Sequence, residues 1–328
     1  MPRAVKPAGR VESGKQCTEA GARRGVPCPP LALEMEKTMS IQTECQLKLS
    51  DGGAVGYAEY GDLLGRPVIY LHGCPSSRFE LNDPDLVRIA ERLHIRLIVP
   101  DRPGIGLSDW KSYSIATYPD TLVQFADQLG LDRFPLIGVS SGGKFVAACA
   151  WKIPQRLTTA TIVSGTAPFD LPGVKETLSK QDRLLYGTAD KVPWLFRLEL
   201  WKIARDVRKN PASILSLFAD LCESDKAVLA QPNVNQMMEQ TVPEAFRQGT
   251  HGAEHDLKIE ARPWGFSLQE IELPVNVWHG EDDIVPIEQA RILAGAIPNA
   301  SSRFFPNEGH LLFVSHFEEV LNAVAGWP

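Results

Sequence analysis

The chain lacks several features that would have decided its class at once. No run of about 18 apolar residues exists, so no segment reads as a membrane-spanning helix, and stable membrane insertion is not expected. The six cysteines, Cys17, Cys28, Cys45, Cys74, Cys149 and Cys222, form no C-x-x-C pair and no metal spacing. They read as reduced thiols, which points to a cytoplasmic protein. The seven histidines include no H-E-x-x-H or paired-ligand pattern, so no metal is expected. Gly104-Ile105-Gly106 lacks the third glycine of a dinucleotide fingerprint, and no cofactor is implied. With 34 Lys and Arg against 40 Asp and Glu, the net charge is −6 and the globular part carries no basic stripe, which argues against a nucleic-acid partner. The expected partner is a small-molecule substrate, and the oligomeric state is open.

What is present is a chain of 328 residues, 44% hydrophobic, enough for one large domain with an insertion. Residues 1–38 stand apart. They hold five prolines, many glycines and basic residues from Arg3 to Arg24, with no apolar periodicity. This reads as a disordered extension without the apolar core of a secretory signal. A transit peptide fits its basic residues but not Glu12, Glu19 and the prolines, and a true start at Met35 or Met39 is the other alternative. The fold is expected to begin near Cys45, with a hairpin through Leu47, the Asp51-Gly52-Gly53 turn and Val55–Tyr60. Strand-like runs at Val68–Leu71, Leu97–Val99, Phe134–Ile137 and Thr161–Val163 then alternate with helical patterns at Asp85–Leu93 and Ile115–Leu129. That alternation predicts a mostly parallel sheet flanked by helices.

From about residue 168 to 269 helical segments appear without strands, as expected of a helical cap inserted into an α/β core at 45–167 and 270–328. Trp194–Ala204 and Ala212–Leu221 read as helices, and Arg247–Asp256 as a glycine-bearing hinge. Trp194, Leu198 and Trp201 share one face. Packing onto the core is the plain expectation for such a stripe, and roofing a substrate pocket is the functional one.

Gly138-Val139-Ser140-Ser141-Gly142 lies between an apolar strand and a helix. A turn that tight admits only small residues two positions either side of the serine and lifts its hydroxyl above the sheet. Two further groups follow in order: the acids Glu281, Asp282 and Asp283 after the strand Val275–Gly280, and His310 after Ser302–Phe305. Serine, acid and histidine in that order suit nucleophilic acyl transfer. The histidine takes the serine's proton, and the acid fixes the imidazole tautomer. The N–H of Ser141, at a helix start, is a candidate oxyanion donor.

These blocks, with His72-Gly73-Cys74-Pro75 and Asp101-Arg102-Pro103-Gly104-Ile105-Gly106-Leu107-Ser108, resemble the α/β-hydrolase fold superfamily, serine hydrolases with a helical cap, over roughly residues 45–328. The resemblance implies an eight-stranded sheet. It selects Asp283, three residues after Gly280 and followed by Val285-Pro286, as the acid beside Ser140 and His310. It makes the backbone N–H of Cys74 the second oxyanion donor. It implies a cofactor-free serine hydrolase that cleaves an ester, thioester, lactone or amide of a small, fairly apolar substrate through an acyl-enzyme. The epoxide hydrolases and haloalkane dehalogenases of this fold carry Asp where this chain has Ser140, and Cys74-Pro75 and Ser141 depart from the proline iminopeptidase pattern. Carbon–carbon bond hydrolases, haloperoxidase-like enzymes and non-hydrolytic receptors of the fold remain as alternatives.

Overall fold

The computed structural model describes residues 41–218 and 221–325. The expectations for residues 1–38 fall outside the described residues. A single eight-stranded sheet organises the rest. Its strands are β1 (Ile41–Lys48), β2 (Ala54–Gly61), β3 (Arg66–Leu71), β4 (Ile95–Pro100), β5 (Phe134–Val139), β6 (Leu157–Val163), β7 (Val275–Gly280) and β8 (Ala300–Phe305). In space they run β1-β2-β4-β3-β5-β6-β7-β8. β2 pairs antiparallel with β1 and with β4, and every later pairing is parallel. The expected hairpin is β1–β2, closed by Leu49 N–H donating to Gly53 O at 2.7 Å.

Both faces of the sheet are covered, which is why its central strands are apolar at consecutive positions rather than at alternate ones. Ile69, Leu71, Ile98 and Leu136 point into one core, and Val68, Tyr70, Leu97, Val99 and Ile137 into the other. On the second face lies α1 (Pro84–Arg92). Asp83 caps its start, its carboxylate accepting from Asp85 N at 2.7 Å and Leu86 N at 3.3 Å. On the first face lie α2 (Tyr118–Gln128) and α3 (Gly143–Lys152), the helix that leaves the Ser140 turn.

Between β6 and β7 the described chain is helical. After one turn at Val174–Thr177 come α4 (Lys180–Lys191), α5 (Pro193–Lys209), α6 (Glu223–Leu229), α7 (Pro232–Ala245) and α8 (His251–Glu260). The chain then returns to the sheet and adds α9 (Ile287–Ala296) and α10 (Phe317–Ala325). Two local expectations need correction. Residues 211–218 form a 3-10 helix rather than the α-helix expected over 212–221. The hinge expected at 247–256 is mostly the first turns of α8. Gly252 is there for contact rather than for flexibility: a Cβ on it would lie 2.5 Å from Gly104 O. Among the described residues, no helix is long and apolar enough to cross a membrane.

Candidate active site

Ser140 follows directly on β5 and opens the 3-10 turn Ser140–Gly142 that leads into α3. Its φ is 52°, the left-handed region, which costs a residue with a Cβ about 1–3 kcal/mol. The two glycines of the pentapeptide are sterically required. A Cβ on Gly138 would sit 2.6 Å from Gly142 O, and one on Gly142 would sit 2.2 Å from Leu71 O. The close approach to Leu71 and His72 brings the turn against the end of β3. The space where a Cβ of Gly73 would lie is 3.9 Å from Ser140 Oγ.

Two strands away, β7 delivers Asp283, whose side chain is fully buried, whereas Glu281 and Asp282 are exposed. Asp283 Oδ1 accepts from Val285 N at 2.8 Å and lies 2.7 Å from His310 Nδ1. Gly280 allows this meeting, since a Cβ there would lie 2.2 Å from Glu308 O, in the loop that carries His310. Burial works against both charges. The Asp283 carboxylate overrides it and holds the His310 imidazole above the ordinary histidine value. In return the positive charge and hydrogen bond of His310 hold Asp283 below the usual carboxylate range despite its burial. A second imidazole, His279, stands 3.6 Å from Asp283 Oδ2. Its burial depresses its basicity, and its Nε2 pairs with Val285 O at 2.7 Å, so it stands as a neutral neighbour.

The loop after β3 is held by groups that sequence reasoning did not single out. Arg102 lies wholly buried in the loop after β4 and donates through Nη1 to His72 O and through Nη2 to Gly73 O, the latter at 2.6 Å. Its Nε pairs with Asp256 of α8 at 2.6 Å. Gly73 N donates to Glu80 Oε2 at 2.7 Å, and burial pushes that carboxyl up to about 7. The backbone through Gly73 to Cys74 is thus braced from both sides. The Cys74 thiol packs with Phe196 and Leu200 of α5, lies 3.9 Å from Ala253 O, and is pushed well up by burial, so its environment favours the neutral thiol. Among the described residues Cys45, Cys74, Cys149 and Cys222 are all free thiols.

Ser141, beside the nucleophile candidate, is tied down through its side chain. Its hydroxyl donates to Glu260 Oε2 at 3.0 Å and accepts from Lys144, which pairs with the same carboxylate at 2.9 Å. Asp256 and Glu260 stand four residues apart on α8 and hold two buried cations of the sheet domain, Arg102 and Lys144. That i, i+4 pair of acids was visible in His255-Asp256-Leu257-Lys258-Ile259-Glu260, but nothing local named partners more than a hundred residues away. A third link from the helical segment comes from buried Asp225 of α6. Its carboxylate accepts from His310 N at 2.8 Å and Leu311 N at 2.7 Å.

The apolar stripe lies elsewhere than expected. Trp194, Leu198 and Trp201 are 69%, 40% and 51% exposed. The opposite face of α5, with Phe196, Leu200, Ala204 and Val207, is the buried one. It is Phe196 and Leu200, not the tryptophans, that pack beside Cys74. A cavity of about 580 Å³ opens between the one-turn helix at 174–177, α4 and residues 261–263. One of its walls, Tyr186, packs in the same cluster as Phe196 and Leu200.

Known proteins agree with this architecture. The chain is 26% identical to Lipase 3 of a Moraxella species over 322 residues, covering 93% of this chain and 91% of that one. It is 26% identical to a non-heme chloroperoxidase of Kitasatospora aureofaciens, covering 79% and 90%. The enol-lactonase structure from Burkholderia xenovorans superposes with a TM-score of 0.63 at 16% identity, over 86% of this chain and all of that one, a likeness of fold alone. The model of the alpha/beta hydrolase fold family matches residues 66–317, and with the sheet order and crossing strands described above, the chain belongs to that family.

Proposed function

We propose that the protein is a cofactor-free serine hydrolase acting on an ester, thioester, lactone or amide of a small, fairly apolar substrate. The observation that carries this reading is the 2.7 Å Asp283–His310 pair at the sheet end where Ser140 stands in a strained turn. In this reading Ser140 Oγ attacks the carbonyl carbon while His310 Nε2 takes its proton. Asp283 holds the imidazole by Nδ1 and stabilises the imidazolium. The tetrahedral oxyanion accepts hydrogen bonds from the backbone N–H groups of Cys74 and Ser141, which Arg102, Glu80 and the Lys144–Glu260 pair keep in place. His310 then protonates the leaving group, and an acyl-enzyme remains. Water, deprotonated by the same imidazole, releases the acid. Residues 168–269 act as the cap, with Tyr186, a wall of the cavity of about 580 Å³, offering apolar surface to the acyl chain and Phe196 and Leu200 packed behind it.

A second reading has one specific support, the chloroperoxidase relative. There the acyl-enzyme passes to hydrogen peroxide instead of water and yields a peracid, with the same side chains in the same roles. A panel of p-nitrophenyl esters, run with and without peroxide and a halide, separates the two. The hydrolase reading predicts ester turnover that falls by about 10⁴–10⁶ in Ser140→Ala, since members of a triad act as a unit. Ser141→Ala, which keeps its backbone N–H, falls far less. Turnover unchanged in Ser140→Ala contradicts both readings.

A further inference from the structure

Helix α5 is apolar on two opposite faces, and only one is used by the fold. The inner face carries Phe196, Leu200, Ala204 and Val207. The outer face carries Trp194, Leu198 and Trp201, spaced four and three residues apart. Single exposed apolar residues are ordinary. Two tryptophans and a leucine exposed on one face of a helix form a patch.

On α5 the charges nearest the midline of this stripe are cationic. At about 100° per residue, Arg197, Lys202, Arg205, Arg208 and Lys209 all fall within roughly 80° of the stripe's midline. The acids of the helix, Glu199 and Asp206, lie more than about 100° away on its flank. Arg205 stands over the Trp201 ring at 5.2 Å and pairs with Asp206 at 2.9 Å, Arg197 reaches sideways to Glu254 at 3.0 Å, and Arg208 donates to Phe246 O, so Lys202 and Lys209 are the cations this sector offers most directly. The outer sector of α5 therefore presents tryptophan, leucine and cations, on a protein whose net charge is −6. An isologous contact with a second copy would set these cations against each other, which disfavours self-association through this face.

We propose that the outer face of α5 docks onto a lipid surface bearing anionic headgroups. The tryptophans and Leu198 would enter the headgroup boundary, and the flanking Lys and Arg would pair with phosphates. The helix lies in the plane of the surface. Because the rest of the molecule is acidic, the same field that attracts this face repels the others. The protein thus meets the surface with its helical segment foremost, with Phe196 and Leu200 on the inner side of the same helix beside Cys74.

The test is vesicle flotation of the full chain with phosphatidylcholine vesicles containing or lacking phosphatidylglycerol. The wild type floats with the anionic vesicles, and raising salt from 0.1 to 1 M releases it, as the screening length falls from about 10 Å to about 3 Å. The double variant Trp194→Ser, Trp201→Ser retains its melting temperature, since both side chains are exposed, and loses partitioning by about tenfold or more. Lys202→Gln with Arg205→Gln weakens binding to the anionic vesicles only. Ser140→Ala floats as the wild type does, so failure of the catalytic reading leaves this result intact. The proposal is overturned by a wild type that stays in solution with both vesicles, or by a double tryptophan variant that floats equally well. Self-association abolished by the tryptophan changes, without flotation, assigns the face to a second copy and overturns it too.

Discussion

At the scale of single residues, sterics and local charge decide which candidates the fold brings together. Gly138, Gly142 and Gly280 are each fixed by a backbone oxygen within 2.6 Å of where a Cβ would be. Ser140 and Asp283 are held at the strand ends those glycines pack. The Asp283–His310 pair carries a pH consequence. His310 binds its proton more tightly than an ordinary histidine, whose value is about 6.5. A protonated imidazole cannot accept the serine's proton. In the proposed mechanism kcat/KM therefore falls as pH drops through a value above about 6.5. Asp283→Asn removes the charge that raises it, so the residual activity titrates at lower pH and kcat drops by about 10⁴ through loss of the productive tautomer. Asp282→Asn, at an exposed position, leaves the profile in place. A pH–rate profile of the three proteins checks this. An acid limb unmoved by Asp283→Asn would detach the aspartate from the base.

At the scale of elements, the strands and the serine turn were legible in the sequence because their constraints are local. A strand, a sharp turn and a helix must follow one another within a dozen residues, and the apolar run of Phe134–Val139 with its glycines records all three. The chain order of Ser140, Asp283 and His310 was legible for the same reason, each standing just past a strand. The buried ion pairs were not, because Arg102 and Lys144 find Asp256 and Glu260 only through tertiary contact. The orientation of α5 was misread because periodicity shows that a helix has apolar faces but not which one turns inward. Here two opposite faces are apolar, only the one with Phe196 and Leu200 turns inward, and the tryptophans drew the choice to the other side. Asp225 of α6 is the element-scale contact most easily tested. Asp225→Ala leaves the buried N–H groups of His310 and Leu311 without their acceptor, which costs about 1–3 kcal/mol of stability. Because His310 then loses its backbone anchor, kcat falls more than KM rises, and Asp225→Asn, which keeps one acceptor oxygen for two N–H donors, restores only part of both. Denaturant unfolding alongside steady-state kinetics distinguishes this from a merely structural role, which would lower stability and spare kcat.

At the scale of the whole molecule, the sheet and the helical segment are joined by buried charges. Arg78, itself fully buried, reaches Asp101 at 2.9 Å in the sheet domain and Glu244 of α7 at 2.6 Å. With Arg102–Asp256 and Lys144–Glu260, three cations of the sheet domain are paired from the helices around the Ser140 turn. Such pairs contribute less to net stability than to fixing one arrangement, since desolvation offsets much of their attraction. Their cost when half broken is high, which keeps the helices seated where the loop after β3 is braced. The proposed chemistry therefore has one assembled site per chain, with a single activated serine. Intact-mass spectrometry after treatment with a fluorophosphonate, followed by peptide mapping, measures this most directly. The account predicts one adduct per chain, on the peptide and residue Ser140, formed in wild type and lost in Ser140→Ala and His310→Ala while Ser141→Ala still reacts. An adduct on Ser141, or no adduct on a folded protein that still hydrolyses esters, would contradict it.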